Sequence, residues 1–157
     1  VGPEVDDLRP PPPAAPQGRV SVVICTRDRP DDIARCLASL RYQTRVPDEV
    51  VVVDNASRDQ RTREAVLAAG ATYLREDREG LDFARNTGVA AATGDLIIFT
   101  DDDVLLDPHW LERMTAAFDD PAIGAVTGLV LPAELASDAQ FHFEGYWASI
   151  RVMGAAM

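Results

Sequence analysis

The chain has 157 residues, 46% of them hydrophobic, and a formal net charge of −11. This length suits one domain with a real core, and the negative charge argues against a nucleic-acid partner, because such binding depends on clustered Lys and Arg. All 15 basic residues are Arg, which excludes a Walker A phosphate loop, a Schiff-base mechanism and a response-regulator receiver, since each of these uses a Lys.

The first predicted segment is a proline-rich tail or linker over residues 1 to 18, ahead of a domain over residues 19 to 157. Strands and helices then alternate. In chain order they are a strand over 20–25, a helix over 30–40, a strand over 50–53, a helix over 59–69, a strand over 71–74, a helix over 81–92, a strand over 96–100, a helix over 108–118 and a strand over 124–131.

The spacing of apolar residues supports this order. Ile33, Leu37 and Leu40 repeat at helical spacing, and the four consecutive valines at 50–53 indicate a strand buried on both faces. The alternation predicts an α/β fold, a mainly parallel sheet flanked by helices. Ligands of such sheets bind beyond the carboxyl ends of the strands, so the residues that follow each strand are the main candidates for functional residues.

The first strand ends in a turn that contains Thr26 and Arg27 and no glycine. A dinucleotide-binding fold needs glycines at this turn so that the backbone can approach a pyrophosphate, and their absence weakens an NAD or S-adenosylmethionine site. Two interpretations stay open, a turn whose polar groups contact a nucleotide and a plain turn into the helix.

The second strand ends at Asp54, and the third helix carries Arg85. Asp54 is placed to accept hydrogen bonds from a base or a ribose, and equally to act as a turn or helix-cap residue. Arg85 has the guanidinium shape that suits a phosphate, although an exposed helix arginine is the simpler alternative.

Three consecutive acids, Asp101, Asp102 and Asp103, follow the apolar strand LIIFT. Such a run is usually a solvated loop, but here it falls at the ligand-binding edge of the predicted sheet. Carboxylate oxygens suit Mg²⁺ or Mn²⁺, and Mg²⁺ typically takes about one or two carboxylates together with substrate phosphates. The segment also resembles a Walker B strand, but no Walker A loop accompanies it.

Four segments together resemble the family 2 glycosyltransferases, which have the GT-A fold. In order they are VSVVICTRDRP, LASLRYQ, EVVVVDNAS and GLDFARNTGVAAATGDLIIFTDDDVLLDPHWL, and the match runs from about Arg19 to Leu131. The resemblance implies a nucleotide-sugar donor, most often a UDP-sugar, a divalent Mg²⁺ or Mn²⁺ ion and an acceptor that the sequence does not identify.

The resemblance also implies roles for single residues. Thr26 lies at the nucleotide edge, Asp54 contacts the uracil ring and Arg85 lies near the donor, while the acids of the DxD motif hold the ribose and the metal. The assigned donor-binding residues are Thr26, Arg27, Asp54, Arg85, Asp101 and Asp102, and the assigned metal ligands are Asp101 and Asp103.

One departure from the family concerns the catalytic base. Inverting members carry a carboxylate well downstream of the DxD motif, often as Glu-Asp, and no such pair follows Asp103 here; Glu134 and Glu144 lie too near the motif to match. The catalytic residue therefore stays unassigned. We expect an N-terminal fragment of a catalytic domain with little activity by itself; the alternative is a non-catalytic module that binds a nucleotide sugar. A sugar-nucleotide pyrophosphorylase ranks lower, because its glycine-rich loop and its Lys are missing.

The cysteines and the longest apolar segments predict the environment of the chain. Cys25 and Cys36 are interpreted as buried thiols, and two cysteines without a secretory signal favour a cytoplasmic chain, with any membrane association made through parts outside this sequence. No apolar run approaches the roughly 18 residues of a membrane span. Near-helical spacing predicts an apolar surface formed by Phe141, Phe143, Tyr146, Trp147 and Ile150.

Overall fold

A computed structural model of the chain describes residues 18–134 and 136–142. Nearly all of the predicted proline-rich tail lies outside this range, as do Glu144 and every residue of the predicted apolar surface except Phe141. The chain divides into two compact units, which meet in sequence between Val126 and Thr127 and are described separately. Among the described residues, no helix has the length and apolar character needed to cross a membrane.

The first unit contains a four-stranded sheet in the order β3-β2-β1-β4, with every neighbouring pair parallel. This arrangement confirms the predicted α/β fold. Its elements are β1 (Val20–Thr26), α1 (Pro30–Leu40), β2 (Glu49–Asn55), α2 (Arg61–Ala68), β3 (Thr72–Glu76), α3 (Leu81–Ala91), β4 (Leu96–Asp101) and α4 (Trp110–Ala116), which a 3₁₀ turn (Ala117–Asp119) follows.

Apolar residues fill both faces of the sheet, as the unbroken valine run predicts. Val22, Ile24 and Val52 lie on one face and pack with buried residues of α1, α2 and α4. Val23, Val51 and Val53 lie on the other face with Ala84 of α3. Helices thus cover the sheet on both sides and leave the carboxyl ends of its strands free to form a site.

Helix α3 approaches the sheet very closely at Gly88. A Cβ atom added there would lie 2.4 Å from Cγ1 of Val23 and 3.3 Å from Cγ2 of Val53. Only glycine permits this contact without a shift of the helix. The contact fixes the position of α3, which carries Arg85 and Thr87 toward the carboxyl edge.

The predicted strand over 124–131 does not form, and this prediction was wrong. The segment has β-rich composition, but strand propensity reflects packing against neighbours, and no strand of the described residues pairs with it. Leu129, Val130 and Leu131 are largely exposed instead. The last predicted helix is also shorter than 108–118, because its ends are turns rather than α-helix.

The described part of the second unit contains a short helical turn near Ser137. The backbone N–H of Phe141 donates to the carbonyl of Ser137 at 3.1 Å, and Oε1 of Gln140 accepts hydrogen bonds from the backbone N–H groups of Ala136 and Ser137. The side chain of Phe141 is mostly exposed.

Candidate functional site

The strand register brings the polar strand ends together at one edge. Thr26 of β1 pairs with Asp54 of β2, Asp54 pairs with Arg75 of β3, and Cys25 pairs with Asp101 of β4. Residues that are far apart in sequence therefore lie side by side at the carboxyl edge, where ligands of parallel sheets bind.

The three acids at the end of β4 have different environments. Asp102 is buried, whereas Asp101 and Asp103 on either side of it are exposed. Oδ2 of Asp102 accepts the hydroxyl hydrogen of Thr26 at 2.7 Å, and its Oδ1 accepts a hydrogen bond from Nη1 of Arg29 at 3.1 Å. Asp102 is thus part of the scaffold of the turn, and Asp101 and Asp103 are the carboxylates open to a ligand.

Arg29 also contacts the exposed acid Asp103. The same Nη1 atom that binds Asp102 lies 3.1 Å from Oδ2 of Asp103, so a single guanidinium nitrogen joins two neighbouring carboxylates. Positive charge at this point of the turn is therefore favourable.

The described residues do not form a complete protein cage for a metal, since no group of three His, Cys, Asp or Glu side chains among them is placed to hold an ion. Mg²⁺ does not require one, because it usually keeps water and substrate phosphates as ligands. The carboxylates of Asp101 and Asp103 offer hard oxygen atoms, and Asp103 already binds a cationic group, the guanidinium of Arg29. The donor set therefore fits Mg²⁺ or Mn²⁺ bound together with a phosphorylated ligand.

Asp54 is fully buried, and both of its oxygens are engaged by this chain. Oδ1 accepts the backbone N–H of Ser57 at 2.9 Å, Oδ2 accepts the hydroxyl hydrogen of Tyr73 at 2.8 Å, and Nη1 of Arg75 lies 3.6 Å from Oδ2. Burial raises the pKa of Tyr73, and the hydrogen bond to Asp54 raises it further. Because the side chain is fully buried, a ligand can contact this carboxylate only after a neighbouring group moves.

The turns after β1 and β2 are tied to each other. Asp28 has a φ of 55° and Ala56 a φ of 59°, left-handed values that non-glycine residues seldom adopt. The backbone N–H of Asp28 donates to Oγ of Ser57 at 2.8 Å, and the backbone N–H of Arg58 donates to Oδ1 of Asp28 at 2.8 Å. These reciprocal bonds hold both strained turns in place at the edge.

Asn55 and Glu76 organise the turn between β3 and α3. Nδ2 of Asn55 donates to the carbonyl of Arg78 at 2.7 Å, and Oδ1 of Asn55 accepts the backbone N–H of Gly80 at 2.9 Å. Glu76 accepts hydrogen bonds from the side chains of Arg78 and Thr87, which hold the pKa of its carboxyl well below its usual range. The turn that leads into the helix bearing Arg85 is therefore well supported.

Two arginines lie around this edge, Arg27 half-buried and Arg85 exposed. Nη2 of Arg27 forms an ion pair with Oε1 of Glu79 at 2.8 Å, whereas Nη1 of Arg85 lies 3.9 Å from Oδ1 of Asp82. Burial raises the pKa of Cys25 to about 11, and the positive charge of Arg85 opposes that rise. The charge of Arg85 therefore acts on Cys25, the β1 residue that pairs with Asp101 of β4.

The thiols match their predicted character in part. Cys36 is buried, and burial raises its pKa to about 12. Cys25 is half-buried rather than buried. Both thiols are protonated at neutral pH, so neither is a ready nucleophile.

Four residues of this edge were not singled out from the sequence: Arg29, Asn55, Ser57 and Glu76. Each stands at or just beyond a strand end, and that position was the available signal. Each of them has at least one partner 11 to 74 residues away, however, and this pairing cannot be read from local composition.

A family model, a curated relative and solved structures all relate the chain to glycosyltransferases. The family model described as "Glycosyl transferase family 2" matches residues 21–147. The glucosyl-dolichyl phosphate glucuronosyltransferase of Haloferax volcanii is 28% identical over 142 residues, which cover 82% of this chain and 44% of that protein.

Two solved structures share the fold. The mannosyltransferase PcManGT from Pyrobaculum calidifontis, in complex with GDP-Man and Mn²⁺, is 32% identical with a TM-score of 0.69; the match covers 82% of this chain and 39% of that one. The glucosyl-3-phosphoglycerate synthase of Mycobacterium tuberculosis, in complex with Mn²⁺, UDP and glucosyl-3-phosphoglycerate, is 27% identical with a TM-score of 0.51, over 60% and 37% of the two chains. The chain spans less than half the length of each of these relatives.

Proposed function

The chain belongs to glycosyl transferase family 2 and has the GT-A fold, and from this premise we propose that it binds the nucleotide-sugar donor of a glycosyl transfer reaction. The observation that carries the proposal is the arrangement at the end of β4, in which buried Asp102 anchors the turn and Asp101 and Asp103 are exposed at the carboxyl edge. The related structures with bound GDP-Man or UDP also contain Mn²⁺.

In this proposal Asp101 and Asp103 hold a divalent ion, and Asp101 also lies toward the ribose. When bound, Mg²⁺ or Mn²⁺ supplies positive charge that offsets the charge developing on the leaving diphosphate. Thr26 and Asp102 keep the turn in the geometry that presents the two carboxylates. A chain of net charge −11 needs such a bridge, because its acids would otherwise repel a diphosphate.

In the same proposal, Arg27 and Arg85 at the edge bind the phosphates of the donor. Arg85 is about half exposed, and its contact with Asp82 is long, so its guanidinium is available to a ligand. Arg27 is held by Glu79 and exchanges that partner for the donor. Guanidinium groups form strong, charge-assisted hydrogen bonds with phosphate oxygens.

Recognition of the base is assigned to the carboxyl end of β2. Asp54 is the residue that the family resemblance relates to uracil, and its engaged oxygens mean that Tyr73 or Arg75 must move when a base binds to it directly. We therefore propose a uridine diphosphate sugar as donor, with GDP as the competing specificity to test, since one related structure holds GDP-Man.

The transfer itself is a displacement at the anomeric carbon of the donor, in which a base takes the proton of the acceptor hydroxyl. The described residues supply the donor side of this reaction. The catalytic base and the acceptor site are not assigned to any of them.

Calorimetric titration of UDP, UMP, GDP and GMP into the 157-residue chain in the presence of Mn²⁺ tests the proposal. We expect UDP to bind at least about tenfold more tightly than UMP, because the second phosphate adds charge-assisted contacts with the metal and the arginines. Equal affinity for diphosphates and monophosphates would contradict a diphosphate site, and tighter binding of GDP would contradict the uridine specificity alone.

A further inference from the structure

Arg29 occupies a distinctive place in this site. It is the residue just before α1, and a single nitrogen of its guanidinium lies 3.1 Å from Oδ1 of Asp102 and 3.1 Å from Oδ2 of Asp103. One of these partners is the buried scaffold acid, and the other is the exposed acid assigned to the metal. Arg29 therefore links the scaffold of the turn to its ligand-binding carboxylate.

The two contacts of Arg29 differ in how easily they break. Asp102 is buried, and its other oxygen is bound to Thr26, so its position is fixed. The side chains of Arg29 and Asp103 are 52% and 54% exposed. Exposed ion pairs are weak and exchange readily with other ions. A divalent cation can therefore take Asp103 from Arg29 without disturbing the contact with Asp102.

We propose that Arg29 is a positioning residue and a placeholder for the metal. Before the donor arrives, its guanidinium binds Asp103. When the metal binds Asp103, the guanidinium turns to the donor diphosphate. This inference rests on the proposed function and adds a regulation of the same site. A guanidinium held against Asp102 has donors left for phosphate oxygens, because it carries five N–H groups. The site then binds metal and nucleotide together more readily than either alone.

Removal of the guanidinium should change two affinities in opposite directions. In Arg29→Gln, Asp103 loses its competing cation, so Mn²⁺ without nucleotide should bind about two- to fivefold more tightly, the range expected for loss of an exposed ion pair. UDP in saturating Mn²⁺ should bind about tenfold more weakly, because a charge-assisted contact with phosphate is lost. A residue that contributed only to folding would not, when removed, raise the affinity for Mn²⁺ and lower the affinity for UDP.

The experiment measures Mn²⁺ binding by electron paramagnetic resonance and UDP binding by calorimetry. The variants are Arg29→Gln, Arg29→Lys and Arg41→Gln, and circular dichroism checks their fold. Arg41 directly follows α1, as Arg29 directly precedes it, so Arg41→Gln makes the same charge change at the other end of the helix. Arg41→Gln should behave as the unaltered chain does, and Arg29→Lys should restore much of the competition with Mn²⁺.

Mn²⁺ affinity that is unchanged or weaker in Arg29→Gln would overturn the placeholder role. An equal gain of Mn²⁺ affinity in Arg41→Gln would also overturn it, since the effect would then be one of net charge. Failure of the unaltered chain to bind UDP with Mn²⁺ is a different result, which would overturn the proposed function itself and the role of Arg29 with it.

Discussion

The hydroxyl of Thr26 donates to Oδ2 of Asp102 at 2.7 Å, and this buried hydrogen bond fastens the end of β1 to the turn after β4. The two residues are 76 positions apart in the chain. Because Asp101 and Asp103 flank Asp102, the bond determines how the two exposed carboxylates are presented. It therefore links the stability of the sheet edge to its capacity for ligands.

Thr26→Val tests this link, because valine keeps the shape of threonine and removes its hydroxyl. We expect the free energy of unfolding to fall by about 1–3 kcal/mol, since Oδ2 of Asp102 would stay buried without that donor. Urea unfolding measures the change. Thr72→Val, at the exposed first position of β3, is the matched control and should change stability little. Equal losses in the two variants would show that the bond to Asp102 is not the cause.

Much of the fold was predictable because its signals are local. The consecutive valines of β2 indicated a strand buried on both faces, and Ile33, Leu37 and Leu40 of α1 showed one helical stripe, all three of them buried in the structure. The segment 124–131 carries similar β-rich composition and forms no strand. The prediction of a strand there failed because a strand requires a pairing partner, and composition does not reveal whether one is present.

The site was predictable in position more than in detail. Parallel strands end at one edge, so the sequence alone is enough to group Thr26, Asp54 and Asp101. The engagement of Asp54 by Tyr73 and Arg75 could not be anticipated, because it depends on the register between β2 and β3. Sequence also could not separate the acids of the turn into one buried and two exposed carboxylates, which the contact of Asp102 with Thr26 decides.

Asp54→Asn separates structure from recognition at the base site. The amide places an N–H₂ group or a neutral oxygen toward Tyr73 and Arg75, so we expect a loss of about 1.5–3 kcal/mol in stability, the range of hydrogen bonds to charged groups. We also expect a lower preference for UDP over GDP in Mn²⁺, measured by calorimetry. Asp77→Asn, which removes the exposed partner of Arg75, is the control and should retain the preference. An Asp54→Asn chain that folds and keeps full base preference would remove Asp54 from donor recognition.

Glu76→Gln gives a prediction with a defined pH dependence. Arg78 and Thr87 lower the pKa of Glu76 in the folded chain, so the carboxylate stabilises the fold above the ordinary glutamate pKa and this contribution disappears as pH falls toward the lowered value. The stability difference between the unaltered chain and Glu76→Gln should therefore be largest near about pH 7 and smaller near about pH 3.

Thermal unfolding across this range measures the difference. Glu64→Gln, on the exposed surface of α2, is the control for removal of one negative charge. A difference between the unaltered chain and Glu76→Gln that grew as pH fell would contradict the assigned pairing of Glu76.

We propose that the acidic segment at the end of β4 binds a nucleoside diphosphate through a divalent ion, and calorimetry of UDP with Mn²⁺ and with EDTA tests this claim. We expect measurable binding with Mn²⁺, a loss of at least about tenfold with EDTA, and a similar loss in Asp103→Asn with Mn²⁺ present. Asp107→Asn should keep the metal dependence, because the side chain of Asp107 pairs with the backbone of His109 and with Arg113 rather than with the turn. Equal UDP affinity with Mn²⁺ and with EDTA would contradict the claim.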